Sequence, residues 1–88
     1  MSFDAASAWR LHPQVAVRQE PFGALLYHFG TRKLSFLKDR TILAIVRSLD
    51  EHPDARAACR AAGVDVGAER PYLRALEVLA ESKMLVRP

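Results

Sequence analysis

The side chains that most often bind metals or attack substrates are few and scattered in this sequence. Its three histidines are His12, His28 and His52, and its one cysteine is Cys59. No histidine shares a helical face with a carboxylate or with the cysteine at the spacing of metal ligands, and a zinc site needs about four ligands. We therefore expect no metal ion and no other cofactor.

The sequence also lacks the usual signals of nucleophilic catalysis and of phosphate binding. Cys59 lies on the predicted buried face of a helix, where a cysteine packs as a small hydrophobic residue, and no base is placed to activate it. The four glycines are isolated and suit turns and helix ends rather than a phosphate-binding loop. Glu77 and Glu81 lie four residues apart on a predicted helix, where Arg74 can pair with Glu77. We expect the chain not to be an enzyme.

Residues 14–37 carry the alternating pattern of β-strands. The turn signal Glu20-Pro21-Phe22-Gly23 and the hairpin signal Gly30-Thr31 divide them into three antiparallel strands. Pairing across these loops places Val17 opposite Leu25 and Tyr27 opposite Leu34. One buried face is then expected through all three strands, because a shift by one residue would expose every member of the set. The members of this face are Val15, Val17, Leu25, Tyr27, Phe29, Leu34 and Phe36.

The hydrophobic period becomes helical after Asp39, the expected N-cap of a first helix. A second helix is expected to begin at Pro53 and to end at Gly63. A third is expected over about residues 68–83, with Pro71 in its first turn. Three strands followed by three helices predict an α+β fold. The buried helical stripes are expected to contain Ile42, Ile45, Val46 and Leu49, then Ala55, Ala58, Cys59 and Ala62, then Tyr72, Leu73, Leu76, Leu79 and Ala80.

The length of 88 residues predicts one domain. We assign residues 1–13 to an N-terminal arm and residues 14–88 to the domain. Trp9 and Leu11 of the arm either dock on the domain or move freely. No apolar stretch of about 18 residues predicts a membrane helix, and residues 1–13 do not resemble a signal peptide. A single cysteine suits a reducing compartment, so we expect a cytoplasmic protein that binds no membrane.

The net charge of +3 is distributed unevenly. Residues 1–44 contain six basic and three acidic side chains, whereas residues 45–88 contain seven of each. The excess lies mainly in residues 31–40, at Arg32, Lys33, Lys38 and Arg40. A basic edge permits nucleic-acid binding, but the charges of the third helix are balanced, which makes it a poor ligand for phosphates. We therefore expect no nucleic-acid partner.

The third strand, RKLSFL at residues 32–37, is expected at an edge of the sheet. An edge strand has unpaired N–H and C=O groups, which recruit further strands unless they are blocked. The basic side chains beside it either block such pairing or favour an added peptide strand, as in β-augmentation.

Two runs of sequence resemble a known family, the PqqD-like peptide chaperones, which are RiPP recognition elements. These runs are EPFGALLYHFGTRKLSFLKDRTILAIVRSLDEHP and RPYLRALEVLAESKMLV, and within the family they are similar to the mycofactocin biosynthesis chaperones. The resemblance covers about residues 13–87, and PFGALLYHFGTRKLSFL is its most specific motif. It implies a winged-helix-like domain without catalytic activity. Such a domain binds the leader of a ribosomally synthesised precursor peptide, here the mycofactocin precursor, and presents it to a radical-SAM maturase.

The resemblance implies that the leader lies as an added strand along the third strand and beside the third helix. On this sequence the strand positions are Arg32, Lys33, Leu34, Ser35, Phe36 and Leu37. Helical geometry adds Arg70, Leu73, Arg74 and Glu77 as peptide-binding residues. For the maturase we expect a separate surface on the first two helices, formed by Arg47, Glu51, Arg56 and Arg60.

Two alternatives from other classes remain open at this point. A winged-helix DNA-binding protein would be retained on duplex DNA, with an affinity that falls steeply with salt. A structural dimerisation domain would bind no peptide and would use its edge strand to form a homodimer.

Overall fold

Three antiparallel strands followed by three helices form the body of the chain, as the sequence predicts. The computed structural model describes residues 3–88. Two further strands of two residues each and two 3-10 turns, Leu49–Glu51 and Val66–Ala68, supplement this α+β body. The elements are β1 Arg10–Leu11, β2 Val15–Glu20, β3 Gly23–His28, β4 Leu34–Leu37, α1 Arg40–Ser48, α2 Ala55–Ala61, α3 Arg70–Glu81 and β5 Leu85–Val86.

The main sheet has the strand order β2-β3-β4. The predicted register is correct for the β3–β4 hairpin and wrong for the β2–β3 hairpin. Tyr27 lies opposite Leu34, as expected. Val17, however, lies opposite Leu26 rather than Leu25. The predicted register of the first hairpin is wrong because its loop is Pro21-Phe22 alone, one residue shorter than the loop assumed.

In β3 and β4 the buried face is the opposite of the one that the alternating pattern predicts, whereas Val15 and Val17 of β2 lie on the inner face as expected. The helices cover the side chains of Ala24, Leu26, His28 and Leu37, all at most 3% exposed, with Val15 and Val17 partly buried beside them. The sheet is apolar on both faces, so the pattern alone does not select the inner face. The other five members of the predicted face lie outward, with Leu25 and Tyr27 half-buried and Phe29, Leu34 and Phe36 exposed.

The loop between β3 and β4 is longer than the predicted two-residue turn at Gly30-Thr31. The His28 N–H donates to the Lys33 carbonyl at 3.0 Å, and the Arg32 N–H donates to the His28 carbonyl at 2.7 Å. Arg32 adopts the left-handed conformation, with φ of 62°. Arg32 and Lys33 therefore lie in the loop that leads into β4, and the strand itself begins at Leu34.

Helices α1 and α2 each begin at an aspartate whose carboxylate accepts a free backbone N–H. Asp39 is the N-cap of α1, and its carboxylate accepts from the Ile42 N–H at 2.8 Å, which confirms the prediction. The start predicted for α2 at Pro53 is wrong, because the carboxylate of Asp54 accepts the Ala57 N–H and begins the helix at Ala55.

The small buried stripe of α2 and its end at a glycine are confirmed. Ala55, Ala58 and Cys59 are fully buried, and Gly63 has a φ of 90°. Helix α3 is shorter at both ends than the predicted span, with Pro71 in its first turn as expected. Its stripe is buried at Leu76 and Leu79 and half-buried at Tyr72, Leu73 and Ala80.

Residues 3–13 of the N-terminal arm dock on the domain. Trp9 is 5% exposed, and its indole N–H donates to the Asp4 carbonyl at 2.8 Å. Strand β1 pairs antiparallel with β5, so that Arg10 lies opposite Val86. The arm thereby closes a second, two-stranded sheet with the last strand. Residues 1 and 2 of the predicted arm lie outside the described residues.

Candidate functional site

A groove of about 540 Å³ lies between β4 and α3, where the sequence predicts a peptide site. One wall is the end of β4 with the start of α1, and the other wall is the first two turns of α3. Its lining is formed by Phe36, Leu37, Lys38, Asp39, Ile42, Pro71, Tyr72, Arg74 and Ala75.

No strand of residues 3–88 pairs with the edge of β4 that borders this groove, because β4 is the last strand of the sheet. Backbone groups alternate in direction along an antiparallel strand. The Lys33 carbonyl accepts from His28 of β3, so Ser35 and Leu37 also direct their backbone groups toward β3. Leu34 and Phe36 therefore direct their N–H and C=O groups toward the open edge.

The structure brings some of the predicted strand residues to the groove and places others beside it. Phe36 and Leu37 line the groove. Leu34 and Ser35 continue the same strand. Arg32 and Lys33 lie in the preceding loop, so their charges are at the start of the edge rather than along it.

The predicted helix residues divide between two sides of α3. Arg74 lines the groove beside β4. Arg70, Leu73 and Glu77 line a different hollow of about 980 Å³, which Arg74 also borders. That second hollow lies against the N-terminal arm and α2, and Phe3, Asp4, Arg56 and Glu69 contribute to it.

Sequence reasoning included Arg74 but missed the other helix residues that line the groove, Pro71, Tyr72 and Ala75. Pro71, Arg74 and Ala75 follow the spacing i, i+3, i+4 of a single helix face, with Tyr72 beside them. The small side chain of Ala75 leaves room between the helix and the strand. The sequence signal that could have identified this face is Ala75, a small residue among larger ones on a helix that flanks an edge strand. Lys38, Asp39 and Ile42 were missed as lining residues because they follow the strand, the first two between β4 and α1 and the third in the first turn of α1.

The charges around the groove suit an acidic ligand. Lys38 and Arg74 line it, and Arg32 and Lys33 lie at the other end of β4. Among the described residues that line it, Asp39 alone carries a carboxylate, and this carboxylate is engaged as the N-cap of α1.

Cys59 lies away from the groove on the inner face of α2. It is fully buried, and burial, with a smaller effect of the Glu69 carboxylate, raises the pKa of its thiol. A neutral, inaccessible thiol is a poor nucleophile. Cys59 therefore acts as a core side chain.

Within residues 3–88, no three His, Cys, Asp or Glu side chains are grouped closely enough to hold a metal ion. Over the same residues, each helix is too short or too polar to cross a bilayer.

Comparison with known proteins identifies relatives that match nearly the whole chain. The peptide chaperone MftB of Mycobacterium ulcerans is 74% identical over 85 residues, which cover 97% of this chain and 78% of the relative. The peptide chaperones MftB of Mycobacterium tuberculosis and Mycolicibacterium smegmatis are 71% identical over 84 residues and 65% identical over 86 residues. These matches cover 96% and 98% of this chain, and 77% and 84% of the respective relatives.

A solved structure supports the same fold at low sequence identity. It is a lasso peptide synthetase B1 complexed with the leader peptide, with a TM-score of 0.53 and 18% identity. The superposition covers 91% of this chain and 99% of the synthetase. The model of the peptide chaperone MftB family matches residues 8–86. The resemblance drawn from the sequence motifs is thus confirmed, and the chain belongs to the peptide chaperone MftB family.

Proposed function

We propose that this chain binds the leader of a ribosomally synthesised precursor peptide as an added strand on β4. The observation that carries the proposal is the unpaired edge of β4 beside an apolar groove. The relatives are named peptide chaperones, and the synthetase of similar fold was solved with a leader peptide. Both support peptide binding.

In this arrangement the backbone supplies affinity and the groove supplies selectivity. The N–H and C=O groups of Leu34 and Phe36 pair with the leader. Because alternate side chains of a strand point to opposite faces, every second leader residue enters the groove between Phe36 and Tyr72. Lys38 and Arg74 are placed to attract acidic leader residues.

The proposed ligand is the mycofactocin precursor, and the proposed partner is its radical-SAM maturase, as the sequence resemblance implies. The chain acts in the cytoplasm without catalytic activity and accelerates the modification by positioning. Holding the leader beside the enzyme raises the local concentration of the precursor tail to about the millimolar range.

The test is a comparison of Leu34→Pro with Leu34→Ala. Proline removes the N–H that faces the open edge, whereas alanine keeps it and shortens the same side chain. Proline is tolerated where a strand N–H faces away from the sheet, so both variants should keep the circular dichroism of the parent. We expect Leu34→Pro to weaken leader binding by about 10–100-fold relative to Leu34→Ala, the loss from an unmade hydrogen bond.

The readout is titration of the purified protein with the synthetic leader by calorimetry. Equal leader affinities for folded Leu34→Pro and Leu34→Ala would show that the leader does not pair with β4. Loss of a homodimer in Leu34→Pro, measured by sedimentation, would instead assign the edge to self-association.

A further inference from the structure

The outer face of the main sheet is unusually apolar for a surface. Four large hydrophobic side chains on or beside it are 58–63% exposed, and they are Phe22, Phe29, Leu34 and Phe36. In the rest of the described chain, Val66 and Val78 alone are large hydrophobic residues of comparable exposure. Contiguous exposed apolar surface of this kind marks interaction sites.

These side chains form one patch rather than isolated exposures. The rings of Phe22 and Phe36 lie 6.1 Å apart, and those of Tyr27 and Phe29 lie 4.9 Å apart, edge to face. Cross-strand pairing joins the two ends, because Tyr27 lies opposite Leu34 and Leu25 lies opposite Phe36. We call these six residues the outer apolar patch.

The border of the outer apolar patch is basic. Arg18 lies opposite Leu25 on the neighbouring strand, with its side chain 78% exposed. Arg32 and Lys33 border the patch at the β3–β4 loop, and Lys38 follows β4. Glu20 is the acidic side chain at this border, and it pairs with Arg18 at 3.2 Å.

We propose that the outer apolar patch docks the maturase, through a maturase surface that is apolar and bordered by acidic side chains. This step rests on the proposed function, which supplies a modifying enzyme as partner. The positive charge of the border favours an acidic partner over a second copy of this chain. In a symmetric dimer the patch would face itself, which would bring the two basic borders together, and like charges across an interface oppose association.

The position of the outer apolar patch allows the enzyme and the leader to bind together. The patch covers the face of the sheet that points away from the helices, whereas the leader is proposed to occupy the free edge of β4. The two sites meet along β4, where Leu34 and Phe36 offer their backbone groups to the leader and their side chains to the patch. An enzyme docked on the patch would therefore lie beside the edge of β4 that binds the leader. The rest of the precursor, which continues from the leader, would then be close to that enzyme.

The surface expected from the sequence for this role, on α1 and α2, has different properties. Arg47, Glu51 and Arg60 are exposed there, but Arg56 pairs with the buried carboxylate of Glu69. No large hydrophobic side chain of the described helices α1 and α2 is exposed. Because interfaces bind mainly through buried apolar anchors, the outer apolar patch is the better docking surface.

The test uses the double variant Phe22→Ser/Phe29→Ser, with Val66→Ser as a matched control. Phe22 and Phe29 are outside the lining of the leader groove, and Val66 is equally exposed but lies far along the chain, between α2 and α3. Binding of each chaperone to the maturase is measured by biolayer interferometry, and binding to the synthetic leader by calorimetry.

We expect the double variant to lose roughly 30-fold or more in maturase affinity, as for truncation of aromatic anchors, with leader affinity unchanged. Val66→Ser should match the parent in both measurements. Arg18→Glu should slow association with the maturase and leave leader binding unchanged.

An unchanged maturase affinity in the double variant would overturn the docking proposal. Loss of leader binding in that variant would overturn it as well, by assigning the patch to the peptide, and so would loss of a parental homodimer. Should the parent bind no leader, the proposed function fails, while the maturase affinities still decide whether the patch is the docking face.

Discussion

At the scale of single residues, Gly23 allows the start of β3 to lie close to the end of β4. It has a φ of 151°, and a Cβ built on it would lie 1.9 Å from the Leu37 carbonyl oxygen. The conflict is with backbone that the sheet itself fixes, so it cannot be relieved by rotating a side chain. We expect Gly23→Ala to lower the free energy of unfolding by about 2–3 kcal/mol, a typical cost of backbone strain. Urea denaturation followed by circular dichroism measures the change.

Gly67 provides the control for this substitution. No atom of residues 3–88 lies within 4 Å of a Cβ built on it, and it occupies an exposed 3-10 turn. Gly67→Ala should change the free energy of unfolding by less than about 1 kcal/mol. If both variants were equally stable, the close approach of Gly23 to β4 would not constrain the sheet.

His28 shows why a polar residue can lie on the inner face. Its Nδ1 accepts the backbone N–H groups of Gly30 and Thr31 at 3.0 and 3.1 Å, and its ring contacts His12 at a centroid distance of 4.3 Å. A buried polar group that is hydrogen-bonded carries little penalty. The same bonds hold the loop that leads into β4, and so they position the start of the edge strand.

At the scale of secondary-structure elements, α2 and α3 end in the same motif with different residues. After α2, the N–H groups of Gly63 and Val64 donate to the carbonyls of Arg60 and Cys59. After α3, the N–H groups of Lys83 and Met84 donate to the carbonyls of Ala80 and Leu79. These are Schellman motifs, which place their first residue beyond the cap in the left-handed conformation. That residue is Gly63 in one and Lys83 in the other, with φ of 90° and 67°.

We expect Lys83→Gly to raise the free energy of unfolding by about 1 kcal/mol. A side chain in the left-handed conformation costs about 1–2 kcal/mol, part of which is offset by the larger freedom of glycine in the unfolded chain. The exposed Lys83 side chain makes no ion pair in the described part of the chain. Urea denaturation of the two proteins measures the difference.

Gly63→Ala makes the opposite change at the equivalent position of α2, where no atom of the described chain lies within 4 Å of the added Cβ. It should lower the free energy of unfolding by about 1 kcal/mol. A stability loss in Lys83→Gly would mean that the lysine side chain contributes more than its backbone strain costs.

At the scale of the whole molecule, the arm stabilises the domain through Trp9. The indole packs beside Phe3 at a ring distance of 5.0 Å and beneath the guanidinium of Arg87 at 5.6 Å. The arm thus joins both ends of the described chain to the core. Where the independently folding unit begins, at residue 14 or earlier, stays a prediction.

We expect Trp9→Ala to lower the free energy of unfolding by about 3–5 kcal/mol, the cost of removing a buried aromatic side chain. For 88 residues the total stability is about 4–13 kcal/mol, so the variant should be largely unfolded at moderate urea concentrations. Arg87→Gln is the control, because it removes only the cation above the ring and should cost about 0.5–1 kcal/mol. A Trp9→Ala variant as stable as Arg87→Gln would show that the arm is dispensable.

Much of this architecture could be predicted from local sequence signals. Asp39, Gly63 and Pro71 marked helix ends by their chemistry, and the order of strands and helices followed from the change of hydrophobic period. The β3–β4 register was predicted as well, although the loop was not. Local signals succeed here because caps, turns and periodicity depend on neighbours within a few residues.

The sequence by itself determined that the chain is α+β, that its third strand has an edge character, and which family it belongs to. Tertiary structure decided which face of the sheet is buried, because both faces are apolar and only the position of the helices distinguishes them. It also decided which side of α3 meets β4, since the orientation of a helix about its axis depends on everything packed beneath it. Consequently Arg74 lies at the groove while Arg70 and Glu77 do not, and Phe29 and Leu34 form an exposed patch instead of a core.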